Sequence, residues 1–368
     1  MVSPRQVLVA PDAFKGTFRA SEVAGAIGRG LERAGLIPPD LCPVADGGEG
    51  TLDAVATAVS DARLRDVGPV TGPDGRPVEG HWLELPGGAA VVELAISSGL
   101  PLMSRPDPLG ATTRGLGEVI RAALDAGATS LVVALGGSAS TDGGAGALRA
   151  LGLELFDAAG APLPDGGGAL TRLDRIDASR LRRPPAGGVR LLSDVTAPLL
   201  GPTGAAAVFA PQKGASAAQI AELDAALARW ASLLANEQDT TAPGAGAAGG
   251  TGYGFLAAWG AAIEPGAAAI AELTGFAAAA ASADVLITGE GRFDATSLGG
   301  KVVGHALSLD AKPSVRRAII AGSLAIPPPR DVWSASLVEL AGSLEAALGD
   351  PARWLYAAGV AAAQASTG

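Results

Sequence analysis

Short apolar runs in this chain repeatedly give way to glycine-rich polar loops, and helical stretches follow. That recurrence constrains the fold more than any other feature of the sequence. Residues 6–10, 91–95, 130–135, 189–193, 284–288 and 316–321 have the length and composition of buried strands. Between them lie helical patterns. One opens at Ser21 as N-cap and closes before Gly35, one runs from Thr112 to Gly127, and alanine-rich ones cover 215–234 and 265–281. Strands alternating with helices predict parallel α/β layers.

At 368 residues the chain exceeds one ordinary core and predicts two domains, or three. Hydrophobic residues at 48% and charged residues at 17% supply a large core and exclude disorder. A net charge of −10 and a pI of about 4.8 argue against a nucleic-acid partner, and 14 aromatic residues argue against a base-stacking platform. One cysteine, Cys42, allows no internal disulfide and fits a reducing, cytoplasmic compartment. With only His81 and His305 beside it, little scope is left for a zinc site. The apolar run 7–10 is too short for a signal peptide. The charge-free stretch 240–263 holds seven glycines and Pro243, so it is expected as a loop entering a helix and not as a membrane span.

In open parallel sheets, ligands bind beyond the carboxyl ends of the strands. The segments expected there are Pro11-Asp12-Ala13-Phe14-Lys15-Gly16-Thr17, the run from Gly136 to Gly144, Ser193-Asp194-Val195-Thr196, and Gly289-Glu290-Gly291-Arg292-Phe293-Asp294. Ala45-Asp46-Gly47-Gly48-Glu49-Gly50-Thr51 has the same composition ahead of a helix. Glycines let backbone N–H groups approach an anion, and a helix N-terminus adds partial positive charge. Phosphate is the natural guest. Carboxylates in such loops repel phosphate unless a divalent cation stands between them, which implies Mg²⁺. Arginine outnumbers lysine 23 to 4, yet three of the four lysines, Lys15, Lys213 and Lys301, lie in glycine-rich motifs, where a compact ammonium suits a transferring phosphoryl group.

Several motifs carry no such weight. Gly244-Ala245-Gly246-Ala247-Ala248-Gly249 matches a dinucleotide fingerprint but follows Pro243 instead of a strand. Gly300-Lys301 has Ala295 where a Walker loop needs glycine. Ser138 and Ser140 have no evident histidine partner for a hydrolase triad.

At these loops the chain resembles the bacterial type I glycerate kinases. The resemblance rests on Ala10 to Gly16, Ala45 to Thr51, Leu135 to Gly146, Ser193 to Gly201 with Pro211-Gln212-Lys213-Gly214, and Ile287 to Asp294 with Gly300-Lys301. It implies phosphorylation of D-glycerate by ATP and Mg²⁺, commonly to 2-phosphoglycerate. It also implies a two-domain α/β fold, here a Rossmann-like parallel-sheet domain of 1–66 plus 284–368 with an inserted α/β domain of 67–283 and the active site in the cleft between them. Family members often carry Asn at the position of Ala197, and Gln at or beside Thr296, so one polar contact near Asp194 is in question.

Asp194, following a buried strand and flanked by Thr196, is the expected base, with Lys15, Lys213 and Arg292 as the other catalytic groups. Glu290, Asp294 and Asp46 are the expected Mg²⁺ ligands. Asp12, Gly47, Gly48, Glu49, Gly136, Gly137, Ser138, Asp142, Gly143, Thr196 and Lys301 are the expected substrate and phosphate contacts. Asp12, Asp46 and Asp142 are interchangeable with the other carboxylates on sequence grounds. A glycerate 3-kinase, a non-catalytic binder of phosphorylated metabolites and, more weakly, a nicotinamide dehydrogenase are the competing readings. No nucleic-acid or membrane partner is expected, and a homo-oligomer is left open.

Overall fold

The structure, a computed structural model, describes residues 6–14, 16–234, 237–299, 302–309, 312 and 314–367. Lys15, Gly300 and Lys301 lie outside the described residues. In chain order the strands are β1 Val7–Pro11, β2 Asp40–Leu41, β3 Arg63–Thr71, β4 Pro77–Glu84, β5 Ala89–Glu93, β6 Ser130–Ala134, β7 Glu154–Phe156, β8 Arg175–Asp177, β9 Val189–Leu192, β10 Ala262–Glu264, β11 Val285–Phe293, β12 Arg316–Leu324 and β13 Val332–Ser336. The chain divides into two compact units. The first comprises 1–46, 53–60 and 266–368, and the second 47–52 and 61–265.

The first unit is built on a five-stranded sheet in the order β13-β12-β11-β1-β2, with every pairing parallel. All five residues of β1 are buried, as expected of a strand covered on both faces. The helix Ala20–Arg33 and the C-terminal helix Pro351–Thr367 share one core with this sheet, through Val23, Ile27 and Leu31 on one and Leu355, Ala358 and Ala362 on the other. From β1 the chain runs outward to β2 on one side and later to β11, β12 and β13 on the other. Strand order therefore reverses between β1 and β11, the kind of position where open α/β sheets bind ligands.

The second unit has a six-stranded sheet in the order β10-β9-β6-β5-β4-β3. Its β5, β6, β9 and β10 are parallel, while β3 and β4 form an antiparallel extension. Strands β7 and β8 pair separately. Its core gathers Trp82, Leu116, Ile120, Val133, Trp230, Tyr253 and Phe255.

Two local expectations are corrected, the start of the first helix and the single helix over 265–281. The glycine- and proline-rich stretch 68–80 falls inside the β3–β4 hairpin, whose outer strand sits at the sheet edge, where proline and Arg65–Glu84 ion pairing are tolerated. The first helix starts at Ala20, because the Glu22 carboxylate reaches back to the Arg19 N–H at 2.9 Å and Ser21 donates its own N–H to Asp53. Residues 265–281 form two helices, Gly266–Leu273 and Phe276–Ser282, separated at Gly275. As expected, the stretch from 240 is a loop that enters a helix, Ala247–Trp259, which is interrupted by left-handed backbone at Ala248, Gly249 and Gly250. No helix of the described residues is long and apolar enough to cross a membrane.

Candidate active site

Each unit carries a cavity at the carboxyl end of its sheet. In the first unit the end of β1 hands over to Asp12, which is 7% exposed. Its N–H donates to the Gly289 carbonyl at 2.8 Å and its Oδ1 accepts from the Ala13 N–H at 2.7 Å. Beyond Gly289, β11 outruns β1 and pairs only with β12, so Glu290, Gly291 and Arg292 border an open space. That space is a cavity of about 410 Å³, lined by Asp12, Asp46, Glu290, Arg292 and Asp294 on its polar side. The Asp294 carboxylate caps the turn Ala295–Leu298, accepting from the Thr296 N–H at 2.9 Å and from the Thr296 hydroxyl at 2.7 Å. Its other oxygen lies 3.8 Å from the guanidinium of Arg292, an exposed side chain.

Among the described residues no group of three or more His, Cys, Asp or Glu side chains is clustered tightly enough to hold a metal ion by itself. Magnesium seldom uses such a cage. It is held by one or two carboxylates, with water and substrate phosphates completing its shell. The carboxylates of this wall fit a magnesium ion that arrives on a phosphate ligand.

The opposite wall of the cavity was not foreseen from sequence. It is apolar, formed by Leu337, Val338, Leu344 and Leu348 with Ala347 and Pro351. Leu344 and Leu348 are 60% and 56% exposed, and their spacing of four residues on the helix Leu344–Gly349 was the available signal.

In the second unit, the loop after β6 and the segment 47–50 come into direct contact. Gly136 donates its N–H to the Gly47 carbonyl at 3.1 Å, and a Cβ on Gly136 would stand 2.4 Å from the Gly48 Cα. Only glycine permits that approach. Beside them is a cavity of about 380 Å³, lined by Glu49, Gly136, Gly137, Ser138, Ser193, Val195, Gln212 and Lys213. Asp194 and Thr196 are exposed. The neighbours of Asp194 on either side, Ser193 and Val195, line the cavity, whereas Asp194 itself does not.

Lys213 is 3% exposed, and its ammonium donates to the Ser140 carbonyl. Burial lowers it to about 8, against the opposing pull of the Asp142 charge. Asp142 is wholly enclosed. It accepts from the Thr113 N–H at 2.9 Å, the Thr113 hydroxyl at 2.8 Å and the N–H groups of Gly144 and Gly146 at 3.2 Å. Burial raises its carboxyl above the usual range, and these donors oppose the rise. The expectation that Asp142 touches phosphate is therefore corrected: its oxygens are taken up by the protein, and it organises the loop. Gly143 is likewise turned inward. Its φ is +64°, a Cβ there would stand 2.6 Å from Trp230, and the Trp230 indole donates to its carbonyl at 3.1 Å.

Glu93, at the end of β5, is a second group that the sequence reading missed. It is 4% exposed and accepts from the N–H groups of Gly50 and Leu52 at 2.9 and 3.0 Å, which ties down the segment carrying Gly47, Gly48 and Glu49. Burial raises its carboxyl. A charged residue closing the apolar run Val91-Val92 was the only trace of it. His305, by contrast, is a half-buried packing residue 6.4 Å from the Phe276 ring.

Two sheets, each ending in a cavity bordered by glycine-rich loops, invite comparison with known proteins. Residues 7–366 match the profile of the glycerate kinase family. The chain is 42% identical over 308 residues to the glycerate 2-kinase of Escherichia coli K12, covering 81% of this chain and 80% of that one. It is 42% identical over 308 residues to the glycerate kinase of Bacillus subtilis 168, covering 80% and 79% respectively. A crystal structure from Salmonella typhimurium LT2, provisionally named glycerate kinase 2, superimposes with a TM-score of 0.83 at 36% identity over 99% of both chains. Since the profile takes in both sheets and all the loops described above, the chain belongs to the glycerate kinase family.

Proposed function

We propose that the enzyme transfers the γ-phosphoryl group of ATP to the 2-hydroxyl of D-glycerate, giving 2-phosphoglycerate, with Mg²⁺ as cofactor. The observation that carries this reading is the match over 7–366, together with 42% identity to a protein named glycerate 2-kinase. The two cavities support it chemically. Phosphoryl transfer depends mainly on positioning and charge neutralisation, and the loops offer backbone N–H groups, carboxylates for a cation and isolated positive charges.

Asp194 is the proposed base. Its exposed carboxylate follows β9, between two residues that line the second unit's cavity. It would accept the hydroxyl proton as the oxygen attacks phosphorus. Glu290, Asp294 and Asp46 would hold Mg²⁺ together with the phosphates. Bound there, the ion supplies neutralisation of the phosphate charge. Arg292, exposed at the same cavity, would steady an anionic oxygen, and Lys15 and Lys301 are proposed as further phosphate contacts. Lys213 would hold the 136–144 loop in shape through Ser140. The buried lone Cys42 supports a reducing cytoplasm as the working compartment.

The test is incubation with D-glycerate, ATP and Mg²⁺, with products resolved by ³¹P NMR. ADP and 2-phosphoglycerate, appearing only when all three are present, are expected. A 3-phosphoglycerate signal would reassign the acceptor hydroxyl. Ligand binding with no ADP would favour a non-catalytic binder.

A further inference from the structure

We infer that the first unit is the nucleotide domain, with the base of ATP held against the aliphatic wall of Leu337, Val338, Leu344 and Leu348 and its phosphates directed toward Asp12, Asp46 and Glu290. This rests on the kinase reading above and settles which unit takes which reactant. The cavity's lining combines leucine and valine side chains with carboxylates. Its volume of about 410 Å³ falls within the roughly 300–1,000 Å³ of small-molecule sites. Glycerate has three carbons, two hydroxyls and a carboxylate, so it has no apolar face to cover such a wall. Of the two reactants, only the nucleotide brings a flat, weakly polar group. Leu344 and Leu348 are 60% and 56% exposed, and a docked base would remove part of that apolar surface from water.

Charge points the same way. Four carboxylates against the Arg292 guanidinium disfavour a bare organic anion, but they suit a ligand that carries its own divalent cation, as nucleoside triphosphates do. The second unit's cavity also has apolar lining, Leu100, Leu135, Val195 and Phe209 among it, but it differs in charge: one carboxylate, Glu49, stands beside Lys213, the Ser138 hydroxyl and glycine backbone, which suits a small carboxylate with hydroxyls better than a polyphosphate carrying a cation. The sheet topology agrees, because the first unit's cavity lies where strand order reverses between β1 and β11.

Photolabelling of the wild-type protein with 2-azido-ATP and Mg²⁺, protected by excess ATP, tests the placement directly. Label on peptides spanning 337–351 is expected; protected label on 135–142 or 193–213 overturns the inference. A Leu344→Gln/Leu348→Gln double variant alters exposed side chains, so its fold should survive. Its dissociation constant for Mg·ATP, measured by calorimetry, should rise about tenfold, as expected for losing two aliphatic contacts. Its KM for glycerate and the affinity for inorganic tripolyphosphate, which has no base, should stay within about twofold by the same reasoning. An unchanged Mg·ATP affinity, or a rise confined to the glycerate KM, overturns the inference. Labelling at 337–351 without ADP formation would uphold it while refuting the kinase reading. ADP formation with label in the second unit would do the opposite.

Discussion

At the carboxyl end of the first sheet, four carboxylates and a guanidinium line a cavity together with leucine and valine side chains. At the carboxyl end of the second, a cavity of similar size has apolar lining too, but with a single carboxylate, Glu49, beside a buried lysine, serine hydroxyls and close-packed glycines. Both sheets follow the rule that ligand loops stand at strand C-termini, yet only the first reverses its strand order. The second compensates by cross-bracing. Glu93 ties down the 50–52 backbone, Gly136 abuts Gly48, and Asp142 and Lys213 fasten the 138–146 loop from inside. One site is thus shaped by where the strands lie, and the other by buried polar side chains that pull loops together. Substitutions in the first unit should alter what binds, whereas those in the second should alter how well the loops are held and how fast the reaction runs.

The sharpest break in that comparison comes from Asp194→Asn. If the second unit supplies the base, kcat should fall about 10²-fold or more, with little change in Mg·ATP affinity. The amide keeps the shape of the carboxylate at an exposed position, so folding is not at stake. Normal turnover would move the base to another loop, and with it the distinction between the two sites.

Lys213→Met should cost about tenfold in kcat/KM for glycerate, the low end of what losing one charge-assisted hydrogen bond costs, because the bond it loses is to the Ser140 carbonyl that shapes the loop. The pH dependence separates positioning from mere packing. Because burial lowers the Lys213 ammonium to about 8, wild-type activity should decline as pH rises through that value and the ammonium loses its proton. The variant should lack that limb of the profile. Stability runs the other way. A depressed lysine favours the folded state fully above its ordinary value near 10.5, and that contribution is lost as pH falls toward about 8. Urea titrations of the wild type between pH 8 and 10 should therefore show rising stability, a slope absent from Lys213→Met. An Arg at the same position would keep the charge but not the compact fit, so full activity in Lys213→Arg would show that the enclosed ammonium has no positioning role.

Asp294→Asn and Glu290→Gln probe the first site. Each should raise the Mg²⁺ concentration for half-maximal rate about three- to tenfold while leaving kcat at saturating Mg²⁺ nearly intact, since one or two carboxylates share the ion with the phosphates. Asp294→Asn retains an acceptor for the Thr296 N–H, which guards the turn it caps. A collapse of kcat that excess Mg²⁺ does not rescue would assign these side chains to the transferring group and not to the cation.

Much of this arrangement is written in local sequence. The strands at 7–11, 130–134, 285–293 and 316–324 each contain a short apolar run, Val7–Ala10, Leu131–Ala134, Val285–Ile287 and Ala318–Ala321, so they and the loops that follow are legible without tertiary information. The β3–β4 hairpin is not, because its charged edge strand imitates a solvated linker. Asp142 and Lys213 announce themselves by motif, but their burial is a tertiary property: the hydroxyl and N–H of Thr113, 29 residues before Asp142, decide which way its carboxylate faces. The apolar lining of the first cavity was legible only as the Leu344 and Leu348 spacing, for a similar reason. Leu337, Leu344 and Leu348 look like ordinary helix-face leucines until the fold brings them to the same cavity as Asp12 and Glu290.

The smallest expected effect tests the cross-bracing itself. Glu93→Gln keeps the shape of the side chain and one acceptor oxygen, but removes the charge shared by the Gly50 and Leu52 N–H groups, so stability near pH 7 should change by about 1 kcal/mol or less. Its sign depends on pH. Burial raises the Glu93 carboxyl, so its contribution is fully present below the ordinary glutamate value of 4.5 and is lost as pH rises through the raised folded-state value. Glutamine does not titrate. Wild type and variant should therefore diverge most at low pH and converge, or cross, as the pH rises. Chemical denaturation at pH 5 and at pH 8 measures the difference. If the two proteins keep a constant offset across that range, burial does not raise the Glu93 carboxyl in the folded protein. The kinetic counterpart is a KM for glycerate that rises less than about twofold, because the Gly136–Gly48 contact and the Asp142 network hold the same cavity from its other sides.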